Sequence, residues 1–351
     1  MKINIIVPLM PYRVGGGHKI MYEYSNRLSQ LGHDVTVYHS IDVPFVKFSW
    51  PLAFRFLRAK ITRISSRPNW FEFCSGVKTK TIYKIKNQNI CDGDIIFFTC
   101  SAISFEVAKL SQSKGKIYNL IQDYEDWILD EVNLHYSYSL KLKNIVINDY
   151  LYDTVKKVNG QAPFLIHNSI DKDKFYIKNK IETRKNRTIC MLYSEEERKG
   201  SWFGIHALEN CKKVFPDLEV ILFSGFKRNS DLPKWMSFQQ SPNNLIDIYN
   251  SCSIFFSPSN GEGWALPPAE AMNCGCAVVC TDILGHSAYA IENKTAVLVE
   301  PRNIKSMTEK LIELLSNTEL RISIASEGNT FIKKFSWNEN LKNLENVFYN
   351  S

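Results

Sequence analysis

Several things this sequence lacks narrow what it can be. Nowhere do 18 apolar residues run consecutively, so no stretch reads as a membrane-spanning helix. The opening Met1-Lys2-Ile3-Asn4-Ile5-Ile6-Val7-Pro8 turns polar too soon for a signal peptide and reads as a first buried strand, which leads us to expect a cytoplasmic protein. A disulfide framework is missing too: the nine cysteines are an odd number scattered singly, with Cys100, Cys190 and Cys280 at strand ends, a pattern that fits reduced thiols. Cys274 and Cys276 flank one glycine with no second pair nearby, so they read as packing residues rather than a zinc site. No G-x-G-x-x-G follows the first strand and no acid ends the next, where Tyr38-His39-Ser40 stand, which argues against NAD. Internal repeats, low-complexity tracts and a basic face interleaved with aromatics are likewise missing, and the last of these excludes nucleic acid as a partner.

What is present is the composition of an ordinary globular protein, 44% hydrophobic and 23% charged, on a chain of 351 residues. That length is about twice the usual domain size and suggests two domains with a cleft between them. The formal charge of +7 favours an anionic partner without by itself choosing among a nucleotide, a phosphorylated lipid, a membrane surface and nucleic acid. Short apolar runs alternate with helix-length segments: Ile3 to Val7, Asp34 to Tyr38, Ile95 to Thr99, Tyr118 to Gln122 and Asn144 to Asn148. The pattern restarts at Thr188 to Ser194, Leu218 to Ser224, Ser253 to Ser259, Cys276 to Thr281 and Thr295 to Glu300. Alternation of this kind implies βα units and parallel sheets, hence an α/β chain of two doubly wound, Rossmann-like halves. We place the first domain at 1–170, a polar linker rich in Lys, Asp and Asn at 171–187, the second domain at 188–335, and a last helix, 336–351, long enough to return to the first domain.

The richest segment is Ser257-Pro258-Ser259-Asn260-Gly261-Glu262-Gly263-Trp264-Ala265-Leu266-Pro267-Pro268-Ala269-Glu270. A buried strand ends in a Gly-flanked turn and then a helix with Pro in its first turn, an arrangement that presents backbone N–H groups to an anion. Glu262 lies in the turn and Glu270 eight residues on, along the helix. One carboxylate is placed to reach the sugar or diphosphate end of a ligand, while the other accepts hydrogen bonds from a ribose diol. The alternative is a solvated Glu262 and a Glu270 that caps or salt-bridges on a helix surface.

These residues resemble the E-x7-E signature of retaining GT-B glycosyltransferases, family 4, and the likeness continues through Ala271-Met272-Asn273-Cys274-Gly275-Cys276-Ala277-Val278-Val279, Thr281-Asp282 and Thr295 to Val299, over roughly 188–335. The resemblance implies the GT-B fold, two Rossmann-like domains facing each other across a cleft, a nucleoside diphosphate sugar as donor, and a glycan or lipid-linked glycan as acceptor. It implies retention at the anomeric carbon, with neither metal nor cofactor, in bacterial surface polysaccharide synthesis. In that family an Arg and a Lys-Gly pair neutralise the donor diphosphate. Here Lys199-Gly200 matches the pair, Ser194 stands at the arginine position, and Arg198 is the candidate substitute. The implied donor contacts are Gly16, Gly17, Arg198, Lys199, Gly261, Glu262, Gly263, Trp264, Ala265, Leu266 and Glu270.

In the first half, Tyr12-Arg13-Val14-Gly15-Gly16-Gly17-His18 follows the first strand and resembles the glycine-rich first loop of GT-B enzymes. Three glycines there allow positive φ and close approach of backbone to a ligand. Gln122-Asp123-Tyr124-Glu125-Asp126-Trp127 ends a later strand where family members carry a His-Asp pair, and the run is reminiscent of the bacterial cell-surface rhamnosyltransferase branch. The resemblance implies acceptor contacts from Tyr12, Arg13, Gln122, Asp123, Tyr124 and Trp127, and catalytic roles for Glu262, Lys199 and Asp123; the alternative is helix capping by Asp123 and core aromatics. His167-Asn168-Ser169-Ile170-Asp171 resembles the segment closing the first domain, with His167 structural. The D-x-D pairs Asp92/Asp94 and Asp171/Asp173 sit before a strand and in the linker, where a metal-bound diphosphate is not expected.

Residues 46–63 bear on membranes. Phe54, Leu57 and Ile61 share one helical face with Arg55, Arg58 and Lys60 off it and Trp50 at its edge, which is the pattern of a helix lying in an anionic interface and so of peripheral attachment at the inner face of a membrane. A core-facing helix with a solvated basic side has the same pattern. Two further readings compete with a transferase: a nucleotide-sugar epimerase or phosphorylase on the same fold, and a catalytically silent binding subunit of a polysaccharide-assembly complex. The second takes support from Gln122, Ser194, Ala288 and Ala296 at positions where the family has other residues.

Overall fold

The computed structural model describes residues 1–9, 14–62, 67–242 and 244–351. It divides into two compact units, Met1–Asn168 with Asn338–Ser351, and Ser169–Trp337.

The first unit is built on seven parallel strands: β1 (Lys2–Pro8), β2 (Asp34–Ser40), β3 (Lys78–Ile82), β4 (Ile95–Thr99), β5 (Lys116–Ile121), β6 (Lys143–Val146) and β7 (Phe164–Leu165). They lie in the order β3-β2-β1-β4-β5-β6-β7. β1 and β4 are apolar along nearly their whole length because helices cover both faces, and Ile3, Ile5, Ile6, Phe97 and Phe98 are fully buried. The helices are α1 (Gly16–Gln30), α2 (Leu52–Thr62), α3 (Ser101–Val107), α4 (Glu131–Tyr138) and α5 (Asp149–Asn159). Asp130 and Asn148 cap α4 and α5 by accepting from Asn133 N and Leu151 N.

The second unit holds six parallel strands: β8 (Thr188–Leu192), β9 (Glu219–Ser224), β10 (Ser237–Gln240), β11 (Ile254–Ser257), β12 (Ala277–Thr281) and β13 (Ala296–Val299), in the order β10-β9-β8-β11-β12-β13. Its helices are α6 (Ser201–Val214), α7 (Leu245–Ser251), α8 (Leu266–Asn273), α9 (Ile304–Ser316) and α10 (Thr318–Ile332). The final helix α11 (Trp337–Asn350) packs on the first unit's sheet, where Phe348 meets Phe97 and Tyr118 with ring centroids 5.6 and 4.8 Å apart.

The stretch read as a loose linker, 171–187, is instead part of the second unit. Arg184 is buried and donates to the carbonyls of Asn179, Tyr249, Cys252 and Cys274, with Cys276 Sγ 3.7 Å away. Its polar residues serve as hydrogen-bonding partners for ends of strands and helices, which composition alone reads as a connector. Cys274 and Cys276 are packing residues in this shell.

Candidate active site

In a doubly wound sheet the chain leaves β8 and β11 in opposite directions, so the loops beyond their carboxyl ends part and leave a crevice. Those two loops carry the sequence motifs of the second unit. The turn after β8 is held by Ser194, whose N–H donates to Ser201 Oγ at 2.9 Å and whose Oγ accepts from Glu196 N at 3.2 Å. It ends at Gly200, whose φ of +61° is left-handed and where a Cβ would overlap Pro258 O. The loop after β11 answers it: Asn260 N donates to Arg198 O at 2.7 Å, and Asn260 Nδ2 to Glu197 O at 3.3 Å.

This interlock brings Lys199 onto Glu262. The ammonium donates to both carboxylate oxygens, at 2.7 and 2.9 Å, and Ser259 Oγ donates to Oε1 at 2.9 Å. Both side chains are mostly buried. Burial by itself raises the Glu262 pKa, but the Lys199 ammonium, then Arg198, hold it below the usual carboxylate range, so it is ionised at neutral pH. From the other side the turn after β12 presses in: a Cβ at Gly285 would overlap Glu262 O, and Ala265 N donates to Gly285 O at 3.4 Å. His286, next in line, donates from Nδ1 to Thr281 O (2.8 Å), while its Nε2 is buried with no partner among the described residues. Burial lowers its pKa, so the ring is neutral.

Glu270 is not on a helix surface. It is buried on the inner side of α8 and accepts from Tyr249 Oη at 3.2 Å. The reading of a solvated Glu262 and a surface Glu270 therefore fails on both residues. Of the remaining donor-side residues, Gly261 directly precedes Glu262, Gly263 and Ala265 lie in the turn after it, and Leu266 is the first residue of α8. Trp264 turns inward, its ring 4.9 Å from Tyr289 and 5.7 Å from Phe335, and contributes backbone alone to the turn. Pro267 and Pro268 supply no N–H, Asn260 N is taken by Arg198 O and Ala265 N by Gly285 O, so this helix start offers an anion fewer amides than its position suggests. Arg198 lies beside the pair with Nε 3.1 Å from Glu196 Oε2.

In the first unit, Tyr12 and Arg13 lie outside the described residues. Gly16 and Gly17 open α1 with ordinary helical backbone, so positive φ is not what the glycines provide. Gln122 Nε2 donates to Gly17 O (3.2 Å) and Thr99 Oγ1 (3.0 Å) and so ties the glycine loop to β4. Asp123 accepts from its neighbour's amide, Tyr124 N, at 2.9 Å; Asp130, not Asp123, caps the next helix. Tyr124 Oη and His135 Nε2 are 3.0 Å apart, and Trp127 is exposed rather than in the core. Sequence reasoning passed over Glu125, whose Oε2 accepts from Ser101 N at 2.6 Å and whose pKa burial raises, and over His286 and Gly285. Ser259, three residues before Glu262, is a further site residue to which the motif assigns no role. The D-x-D pairs have local partners: Asp92 accepts from Lys114 and Ser113, Asp94 from Lys2 N, and Asp171 from Asp173 N and Lys174 N. His167 Nδ1 lies 2.9 Å from Ile147 O, a structural contact.

Known proteins share this architecture. Residues 229–331 match the family model described as glycosyl transferases group 1, a region containing Glu262, Glu270 and the turn between them. An uncharacterised glycosyltransferase of Methanocaldococcus jannaschii is 26% identical over 247 residues, 62% of this chain and 67% of its own length. The capsular polysaccharide biosynthesis glycosyltransferase CapM of Staphylococcus aureus is 23% identical over 164 residues, 41% of this chain and 43% of its own. A D-inositol 3-phosphate glycosyltransferase of Corynebacterium urealyticum is 30% identical over 107 residues, but this chain spans only 25% of it. Among solved structures, Anabaena HepE in complex with UDP and glucose superposes with a TM-score of 0.74 at 14% identity, covering 99% of this chain and all of that one. TarM also gives 0.74 at 14%, covering 100% and 99%. The fold is thus that of GT-B structures, two Rossmann-like parallel-sheet units, and residues 229–331 of the second unit match the group 1 glycosyltransferase model.

Proposed function

We propose that this chain, with its group 1 glycosyltransferase region, is a retaining enzyme of the family 4 type that moves a sugar from a nucleoside diphosphate to a hydroxyl of a glycan in polysaccharide biosynthesis. The observation that carries the reading is the buried Lys199–Glu262 pair at the sheet's switch point, with Glu270 behind it on α8. A diphosphate entering there meets an ammonium already oriented by a carboxylate and needs little rearrangement to bind it. In this reading Lys199, with Arg198 in support, stabilises the departing diphosphate; Glu262 faces the donor sugar; and Glu270 accepts from the ribose diol. The acceptor hydroxyl attacks on the leaving-group side and passes its proton to a donor phosphate oxygen, so configuration is retained without a metal. Asp123, with Tyr124 and Trp127, is the acceptor-side candidate of the first unit. HepE has been solved in complex with UDP and glucose, and a TarM mutant of Staphylococcus aureus in complex with fondaparinux, alpha-GlcNAc-glycerol and UDP, which supports a nucleotide-linked donor. We place the protein in the cytoplasm, where such donors are made.

Ser194 favours a second reading, a silent binding unit: its hydroxyl is spent within its own turn, so no arginine approaches the diphosphate from there. One experiment separates the two. Thermal melting is followed against UDP, GDP, dTDP, ADP and CMP, for the wild type and for Glu270→Ala. A cognate diphosphate at 100 times its dissociation constant adds roughly 2.7 kcal/mol to the wild type and far less to the variant. If no nucleotide raises the midpoint, the donor site is not one.

A further inference from the structure

The first unit turns one of its helices inside out. On α2, Phe54, Leu57 and Ile61 fall on one stripe, and this stripe faces solvent: the three are 47, 55 and 72% exposed. What faces inward is Arg55, which donates to Ile41 O at 2.9 Å and lies 3.7 Å from the Phe48 ring centre, together with Phe56 against Tyr83 at 5.3 Å. The core-facing alternative for this helix is therefore overturned. Trp50, half exposed, stacks on Phe54 at 4.4 Å and extends the stripe beyond the helix start. Phe45, 56% exposed, is held at φ +68°, a left-handed conformation that a bulky side chain adopts only when its surroundings impose it. Phe45 is linked through Phe105 (5.6 Å) to Tyr136 (5.8 Å), which with Val132 forms the exposed face of α4. So large a run of outward apolar side chains marks a docking surface.

Charge says what covers it. Between Asp42 and Glu72 the sequence has six Lys and Arg residues and not one Asp or Glu. Lys47 and Arg58 are exposed beside the apolar stripe. Glu131, exposed on α4, is acidic, so the exposed basic residues Lys47 and Arg58 belong to the α2 side of the face. Apolar side chains standing out from a helix, with basic residues along their flank and a tryptophan at the edge, match the headgroup boundary of an anionic bilayer, which accepts irregular side chains without a complementary shape. Among the described residues no helix is long and apolar enough to cross a membrane, so contact is on the surface. We propose that this face of the first unit docks the chain on an anionic lipid bilayer. The inference does not depend on the transfer reaction proposed above.

Flotation of the purified full chain with phosphatidylcholine vesicles, and with equal parts phosphatidylcholine and phosphatidylglycerol, tests it. The wild type should float with the anionic vesicles and stay behind with the neutral ones. Leu57→Glu with Ile61→Glu, both on exposed positions, should lower partition at least roughly tenfold with an unchanged melting midpoint, because two apolar side chains no longer enter the boundary. Arg58→Gln should lower it roughly fivefold, the equivalent of ~1 kcal/mol for one basic group at an anionic surface. Failure of the wild type to float, or equal flotation of the double variant, overturns the proposal. So does a lipid-free dimer in light scattering that the double variant disperses, since the face then belongs to a second copy of the chain.

Discussion

Glu262 and Lys199 are each other's counter-charge in a place with little water, and neither can be neutralised without stranding the other. Glu262→Gln should therefore cost about 2 kcal/mol at neutral pH. The sign with pH follows from the depressed folded-state pKa: the carboxylate's contribution is complete above the unfolded carboxyl pKa and is lost as pH falls through the folded one. Wild type and variant should thus converge on acidification, as read from urea midpoints at neutral and at acid pH; a constant gap would sink the account. Roles at this scale were only partly legible. The segment with two acids eight residues apart could be singled out in the sequence, but not that Lys199 grips one of them, because the partner lies 63 residues away. Nor could the sequence show that the Trp264 ring turns inward while its backbone forms the turn, or that Gln122 spends its amide on a glycine carbonyl.

At the scale of elements, two loops hold the site through a single point of close approach. Gly200 combines a left-handed φ with backbone contact to Pro258, so Gly200→Ala must both strain the turn and separate the loops. Roughly 2–4 kcal/mol should be lost, together with the nucleotide binding that the proposed function expects. A variant within half that range that still binds would show that the loops have slack. Strands buried on both faces were legible as apolar runs, whereas β3, β7 and β10 went unread. All three are edge strands; β3 is Lys78-Thr79-Lys80-Thr81-Ile82 and β10 Ser237-Phe238-Gln239-Gln240, with no apolar run, and β7 is only the two residues Phe164-Leu165, too short to stand out as a strand. Charged, short edges protect a sheet from pairing with another, and the same property hides them from a search for hydrophobicity. The glycines show the reverse: Gly15, Gly16 and Gly17 drew notice and have no positive φ, while Gly200 and Gly275 require it.

On the scale of the whole molecule, the chain closes its first unit with its last residues. Leu341, Leu344 and Phe348 of α11 are buried, Tyr118 Oη is 2.9 Å from Ser351 Oγ, and Glu345 Oε1 is 2.8 Å from His33 Nε2. Removing 338–351 should destabilise the first unit by about 5 kcal/mol, from three large apolar side chains at 1.5–3 kcal/mol each, and leave the second unit's calorimetric transition in place. Equal shifts in both transitions would contradict the division into units. The sequence by itself determined the fold class, the two doubly wound halves and the segment bearing Glu262 and Glu270, because the signals behind these, hydrophobic period and glycine-bounded turns, are local. Tertiary structure alone decided that residues 171–187 belong to the second unit and that Lys199 and Glu262 meet. It alone decided that the apolar stripe of α2 faces outward. An amphipathic pattern states that a helix has two faces; which of them meets the core depends on what the rest of the chain brings beside it.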